Sequence, residues 1–165
     1  MAKDDMENST FFTEILDCGI DLRVRVTGRS MAPAIRSGEI VVVKKIPVVS
    51  LRIGDLILFK NNAGALMLHR ILFKRCINDS TIVLRTKGDA LKSLDGPIQQ
   101  SEVLGRVYKI QRKGPAGEWK TIDLDSLKWR RLNELIALKN LLVALFYFAS
   151  ARIWKISSLG TTCPR

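Results

Sequence analysis

Two residues in this chain have the chemistry for acyl transfer and settings that suit it. Ser30 lies in Gly28-Arg29-Ser30-Met31-Ala32-Pro33. A serine hydroxyl attacks a carbonyl only when a neighbouring base takes its proton. The attack also creates an oxyanion that needs N–H donors aimed at it. A tight turn leaving a strand, with Gly28 before the serine and Pro33 after it, exposes a hydroxyl and its own backbone N–H together. His69 is the only histidine in the chain, so an imidazole base has to be this one. It sits inside Leu66-Met67-Leu68-His69-Arg70-Ile71-Leu72, an apolar stretch of strand character. Each residue also has a plainer role, a turn serine and a histidine satisfied within an apolar strand.

Positioning such a pair is the task of the elements around it. The alternation Leu22-Arg23-Val24-Arg25-Val26-Thr27 predicts a half-buried strand running into the Ser30 turn. Ile40–Val43 is a β-branched strand entered from Ser37-Gly38, and Leu56–Phe59 follows the turn dipeptide Gly54-Asp55. Asn61–Gly64 reads as a hairpin tip, with Leu66–Leu72 returning from it. Further strands are expected at Thr81–Arg85, Val103–Gln111 and Trp119–Ile122. Ser9-Thr10 is placed to cap a short helix over Phe11, Phe12, Ile15 and Leu16 that Gly19 stops. From Ser126 the pattern changes, and Leu127–Ile156 contains neither Gly nor Pro and reads as helix. The expected organisation is an N-terminal helical segment over 1–21, a mainly β body over 22–124, and a basic, hydrophobic helix and tail over 125–165.

Composition agrees with one folded unit plus an appendage. The chain has 165 residues, 47% of them hydrophobic and 26% charged, with a net charge of +11. Charge is uneven. Residues 1–29 carry four Lys or Arg against six Asp or Glu, whereas 109–165 carry eleven against four. A basic surface of this kind faces anionic lipid, nucleic acid or simply water. Cys18, Cys76 and Cys163 have no metal-ligand spacing, and their odd number argues against a disulfide framework. No signal peptide and no uncharged apolar run of about 18 residues is visible. No metal or other cofactor is expected.

The ordered set Gly28–Pro33, Gly38–Val43, Gly54–Ile57, His69-Arg70, Lys87-Gly88-Asp89 and Gly105-Arg106-Val107 resembles signal peptidase I, box by box, over about residues 22–110. Ser-Met-x-Pro marks the nucleophile box of that family. The resemblance implies the β-ribbon fold shared by signal peptidases and LexA-type repressors, with Ser30 as nucleophile. It also implies the histidine type of the family, with His69 as base where most bacterial members have lysine. That type adds an aspartate from the Lys-Gly-Asp segment. Position in the box favours Asp95 as the partner of His69, with Asp89 as a second acid that shapes the loop. Both also stand in turn dipeptides, Gly88-Asp89 and Asp95-Gly96. A lysine base would have to be buried to lose its proton, and Lys87 is read as structural because it sits in the Lys-Gly-Asp box rather than in the base box. The sequence departs from the family in three places. Residues 1–29 are too short and polar for the usual anchor, Gly28 brings no hydroxyl to the oxyanion hole, and Ala90-Leu91 replaces the usual asparagines.

The function implied is cleavage of a leader or signal peptide after small residues, the substrate binding as an added strand. The expected partner is an extended peptide or precursor protein, with no nucleic acid. Two other readings compete. One is a LexA-type self-cleaving regulator, for which Cys18-Gly19 resembles the scissile dipeptide but lies close to Ser30. The other is a non-catalytic β-domain that binds a membrane or partner. The tail bears on location. Leu135, Leu138, Leu142, Leu145, Phe146 and Ala149 form one helical stripe, and Trp129 and Trp154, with basic neighbours such as Arg152 and Lys155, bracket the apolar run. Membrane association is expected, on a side the charges do not fix, with a cytoplasmic location as the alternative. All the boxes precede residue 125, so the chemistry is expected to survive removal of the tail.

Overall fold

The computed structural model of the chain describes residues 2–78 and 81–157, with side chains from Thr10 to Ile77 and from Thr81 to Phe148. Ala149, Arg152, Trp154 and Lys155 lie outside the described side chains, and Cys163 outside the described residues. The first element, α1, spans Ala2–Asp17. It therefore starts well before the Ser9-Thr10 cap that the sequence suggests. Residues 2–8 contain no Gly or Pro to interrupt it, so the helix continues through them.

Eight strands follow: β1 (Leu22–Arg25), β2 (Ile40–Lys44), β3 (Leu56–Lys60), β4 (Leu66–Asn78), β5 (Thr81–Lys87), β6 (Ile98–Gln99), β7 (Val103–Lys113) and β8 (Trp119–Asp123). The helix α2 covers Leu127–Ser157. All the described strand pairs are antiparallel, in the order β1-β2-β7-β3-β4-β5-β6. The long β7 holds β2 on one edge and shares the other between β3 and β8. The tip between β3 and β4 is built by Asn61, whose side-chain oxygen accepts from the N–H groups of Ala63 and Ala65. The two-residue β6 has no sequence signal of its own, and β4 runs six residues past Leu72 because it stays paired with β5.

Period-2 alternation puts β3 at the centre. Leu56 and Leu58 face a core with Val41, Val43, Leu104, Val107 and Ile110, covered by Leu16 of α1. Ile57 and Phe59 face a second cluster with Ile71, Ile82, Leu84, Ile98 and Val103. Met31 and Ile35 belong to the first core and are fully buried, so the turn that carries Ser30 is anchored one residue after it.

The helix α2 packs on the β body with a small and polar face: Ala137, Asn140 and Ala144 are buried, with Trp129 and Asn133 half-buried beside them. It comes so close to the turn before β3 that a Cβ at Gly54 would lie 3.0 Å from the Asn133 carbonyl, and Gly54 has a φ of 94°. The expected apolar stripe points the other way. Leu135, Leu138, Leu142, Leu145 and Phe146 are exposed, Phe146 at 78%. Among the described residues no helix is long and apolar enough to cross a membrane.

Candidate active site

His69 stands on β4 directly opposite Ile57 of β3 and is completely buried. Its Nδ1 lies 2.6 Å from Asp95 Oδ2. The same oxygen accepts a 2.5 Å hydrogen bond from Thr86 Oγ1, and the Asp95 N–H donates to the Thr86 carbonyl at 2.9 Å. Asp95 is thus fixed from both backbone and side chain. An ionised carboxylate only accepts, so Nδ1 carries the proton and the neutral ring keeps its lone pair on Nε2. That Nε2 is buried and has no hydrogen-bond partner among the described residues. Buried polar atoms without a partner are uncommon in folded proteins, and each one calls for an explanation. Here it is the atom a base would use. Ser30 does not hydrogen-bond to it in this structure, and such contacts commonly tighten only when substrate is bound.

Ser30 is half-buried and lines a groove of about 450 Å³. One wall is Val24–Met31, the other is Ala65–Leu68, and Val41 and Leu58 form the floor. The second wall leads straight into His69. Along β4, pairing with β3 covers Leu66–Arg70, while pairing with β5 starts only at Arg70. The edge of Leu66–His69 that faces away from β3 is therefore unpaired among the described residues. Among the described strands β1 likewise pairs with β2 alone. Two unpaired strand edges beside an apolar floor can accept an extended chain.

Asp89 has a different job from Asp95. Arg70, fully buried, grips it with both arms: Nε to Oδ1 at 2.8 Å and Nη2 to Oδ2 at 2.7 Å. Arg70 also donates to the Gly54 carbonyl and to Asn133 Oδ1, both at 2.9 Å. Lys87 is buried as well, and desolvation lowers its pKa although the nearby Asp89 carboxylate opposes this. Burial alone would allow a lysine base. However, neighbours along β5 alternate faces, and Thr86 is the one that meets Asp95. Lys87 instead donates to Asn140 Oδ1 at 3.0 Å and to the Gly88 carbonyl at 3.2 Å.

The structure thus joins His69 to Asp95, puts Ser30 in the adjoining groove, and assigns Asp89 to Arg70. Thr86, Asn133 and Asn140 are the participants the sequence reading missed. The signal for the two asparagines is their seven-residue spacing, which puts both on one face of the helix. They also change the expectation for the tail: α2 supplies partners to the buried Arg70 and Lys87, so the network does not end at residue 125. Among the described residues no group of three or more His, Cys, Asp or Glu could hold a metal ion.

No curated protein matches this chain. The family model described as Peptidase S24-like matches residues 8–108, a span that holds Ser30, His69, Asp89 and Asp95 and covers more than half of the sequence. With its antiparallel sheet and flanking helices, the chain belongs to the Peptidase S24-like family.

Proposed function

We propose that this chain is a serine endopeptidase that cuts an extended segment of a precursor protein in trans. Ser30 is the nucleophile, His69 takes its proton through Nε2, and Asp95 holds the ring in the productive tautomer. The observation that carries this reading is the Nδ1–Asp95 hydrogen bond on a buried ring whose Nε2 is otherwise unused. Attack by Ser30 Oγ forms an acyl-enzyme, and the proton on His69 passes to the leaving amine. Water then repeats the cycle. Gly28 offers no hydroxyl, so backbone N–H groups, the Ser30 N–H among them, stabilise the oxyanion. The substrate adds as a strand beside Leu66–His69 and Val24–Gly28, and resemblance to signal peptidase I points to small residues at the cleavage position and two before it.

Self-cleavage at Cys18-Gly19 is the weaker reading on structural grounds. The Cys18 N–H donates to the Glu14 carbonyl and the Gly19 N–H to the Leu16 carbonyl, so the dipeptide closes α1 rather than lying extended. Incubating the chain with peptides that vary at the cleavage position tests both points. Alanine is expected to be preferred at least about tenfold over leucine or lysine there, because a pocket that fits a small side chain rejects large ones. The mass of the enzyme is expected to stay constant. Preference for a bulky residue would remove the signal-peptide analogy, and release of residues 1–18 would replace cleavage in trans with cleavage in cis. Failure to react with a serine-directed acylating reagent would favour a binding domain instead.

The outward face of α2 supports a location at a lipid surface. It combines the exposed Leu135, Leu138, Leu142, Leu145 and Phe146 with the exposed Lys128, Arg131 and Lys139. Apolar area and basic charge on one face suit a helix lying on anionic lipid, each cation adding roughly 1 kcal/mol. The protein is expected to sediment with phosphatidylglycerol vesicles, and the double substitution Leu142→Glu, Phe146→Glu is expected to abolish this without unfolding the chain. No sedimentation by the unmodified protein would remove the membrane from the proposal.

A further inference from the structure

The polar face of α2 reaches toward the nucleophile through a short chain of contacts. The Asn140 side chain, 3% exposed, sits between a buried cation and a buried anion. Its Oδ1 accepts from Lys87 Nζ at 3.0 Å and its Nδ2 donates to Asp89 Oδ1 at 2.6 Å. Only this orientation of the amide satisfies both neighbours. Lys87 and Asp89 flank Gly88, and Lys87 also donates to the Gly88 carbonyl. This segment abuts the nucleophile directly. The Ala90 N–H donates to the Ser30 carbonyl at 2.8 Å, and a Cβ on Gly88 would lie 2.7 Å from that same oxygen. Ser30 is therefore seated against residues 88–90, and those residues are held from behind by Asn140.

We infer that Asn140 is a positioning residue: it fixes the Lys87-Gly88-Asp89 segment and so sets where the Ser30 hydroxyl stands relative to His69. The inference rests on the reading of Ser30 as nucleophile. Nothing here requires Asn140 to touch substrate. The effect belongs on the acyl-transfer step, because a displacement of about 1 Å can cost up to a hundredfold in rate when reacting atoms must be aligned. Most of the groove lining, Val24–Gly28 and Ala65–Leu68, lies outside the segment that Asn140 holds, so ground-state binding is spared.

Full-length chains carrying Asn140→Ala or Asn140→Asp test this. The aspartate keeps an acceptor for Lys87 while setting a like charge beside Asp89, so it carries the same test if the alanine variant fails to fold. Two readouts are needed. The first is peptide cleavage, together with the rate at which a serine-directed acylating reagent acylates Ser30. The second is hydrogen exchange at the Ala90 amide. We expect kcat and the acylation rate to fall about tenfold or more, KM to stay within about twofold, and Ala90 to lose its protection while β3 and β7 keep theirs. A folded variant with unchanged acylation rate and unchanged Ala90 protection overturns the inference, as does a loss confined to KM. Should the unmodified protein fail to be acylated, the nucleophile reading falls. The Ala90 measurement still decides the link from Asn140 to Ser30, with lost protection upholding it and retained protection ending it.

Discussion

Ser30→Ala is expected to abolish peptide cleavage, by at least about a thousandfold, while leaving the fold intact. The loss follows from the chemistry, since the proposed mechanism forms the acyl-enzyme on the Ser30 hydroxyl alone. Retention of the fold follows from the packing. Ser30 is half-buried, and its seat is made by its carbonyl, which accepts from the Ala90 N–H, and by the buried Met31 next to it. Neither contact uses the hydroxyl. A change of this kind alters stability by about 0.5 kcal/mol or less. Removing the base should be as damaging, but His69 is fully buried and an alanine there would leave a cavity. His69→Asn is the better probe, because its amide keeps a donor for Asp95 and removes Nε2. Both variants should lose activity with cooperative unfolding preserved. If His69→Asn cleaved normally and Lys87→Gln did not, the base would be Lys87 and the present assignment would be wrong.

The reason a single chain can be read this far lies in which signals are local. The strands around the site announce themselves locally: Leu22–Thr27 by alternation, Ile40–Val43 and Leu56–Phe59 as apolar runs entered from turns, and each holds a strand, the first ending at Arg25. Asn61 and Gly64 supply the turn chemistry that fixes the register of β3 against β4, and this register sets His69 opposite Ile57. Other features were not local. The two-residue β6 exists only because residues 98–99 meet Val83 and Leu84 of β5. The amphipathic pattern of α2 suggested that its leucine stripe was the face of interest. In the structure the body is met by the opposite face, because Gly54 allows close approach and the buried Arg70 and Lys87 need polar partners. A leucine stripe reports how apolar a face is, not what will cover it.

The same distinction between local signal and contact separates the two aspartates, which the sequence leaves as alternatives for one role. Asp95→Asn and Asp89→Asn are expected to fail in different ways. Asp95 keeps 22% of its side-chain surface and binds His69 and Thr86. An asparagine there can still accept one hydrogen bond, so stability should change by only about 1 kcal/mol. Its NH2 group, turned toward the ring, would favour the tautomer with the proton on Nε2, which then cannot act as base. Cleavage should fall by at least about a hundredfold in a protein that melts nearly where the unmodified one does. Asp89 is 4% exposed and faces a fully buried Arg70. Neutralising it leaves the guanidinium uncompensated, at a cost of about 3–5 kcal/mol, a large share of what a domain this size can lose. Activity would then fall because folded protein is scarce, and the molecules that remain folded should still react with an acylating reagent. Thermal unfolding and active-site titration of the two variants separate these outcomes. If Asp95→Asn proved fully active and stable Asp89→Asn were dead, Asp89 would hold the catalytic role and the His69–Asp95 contact would be structural.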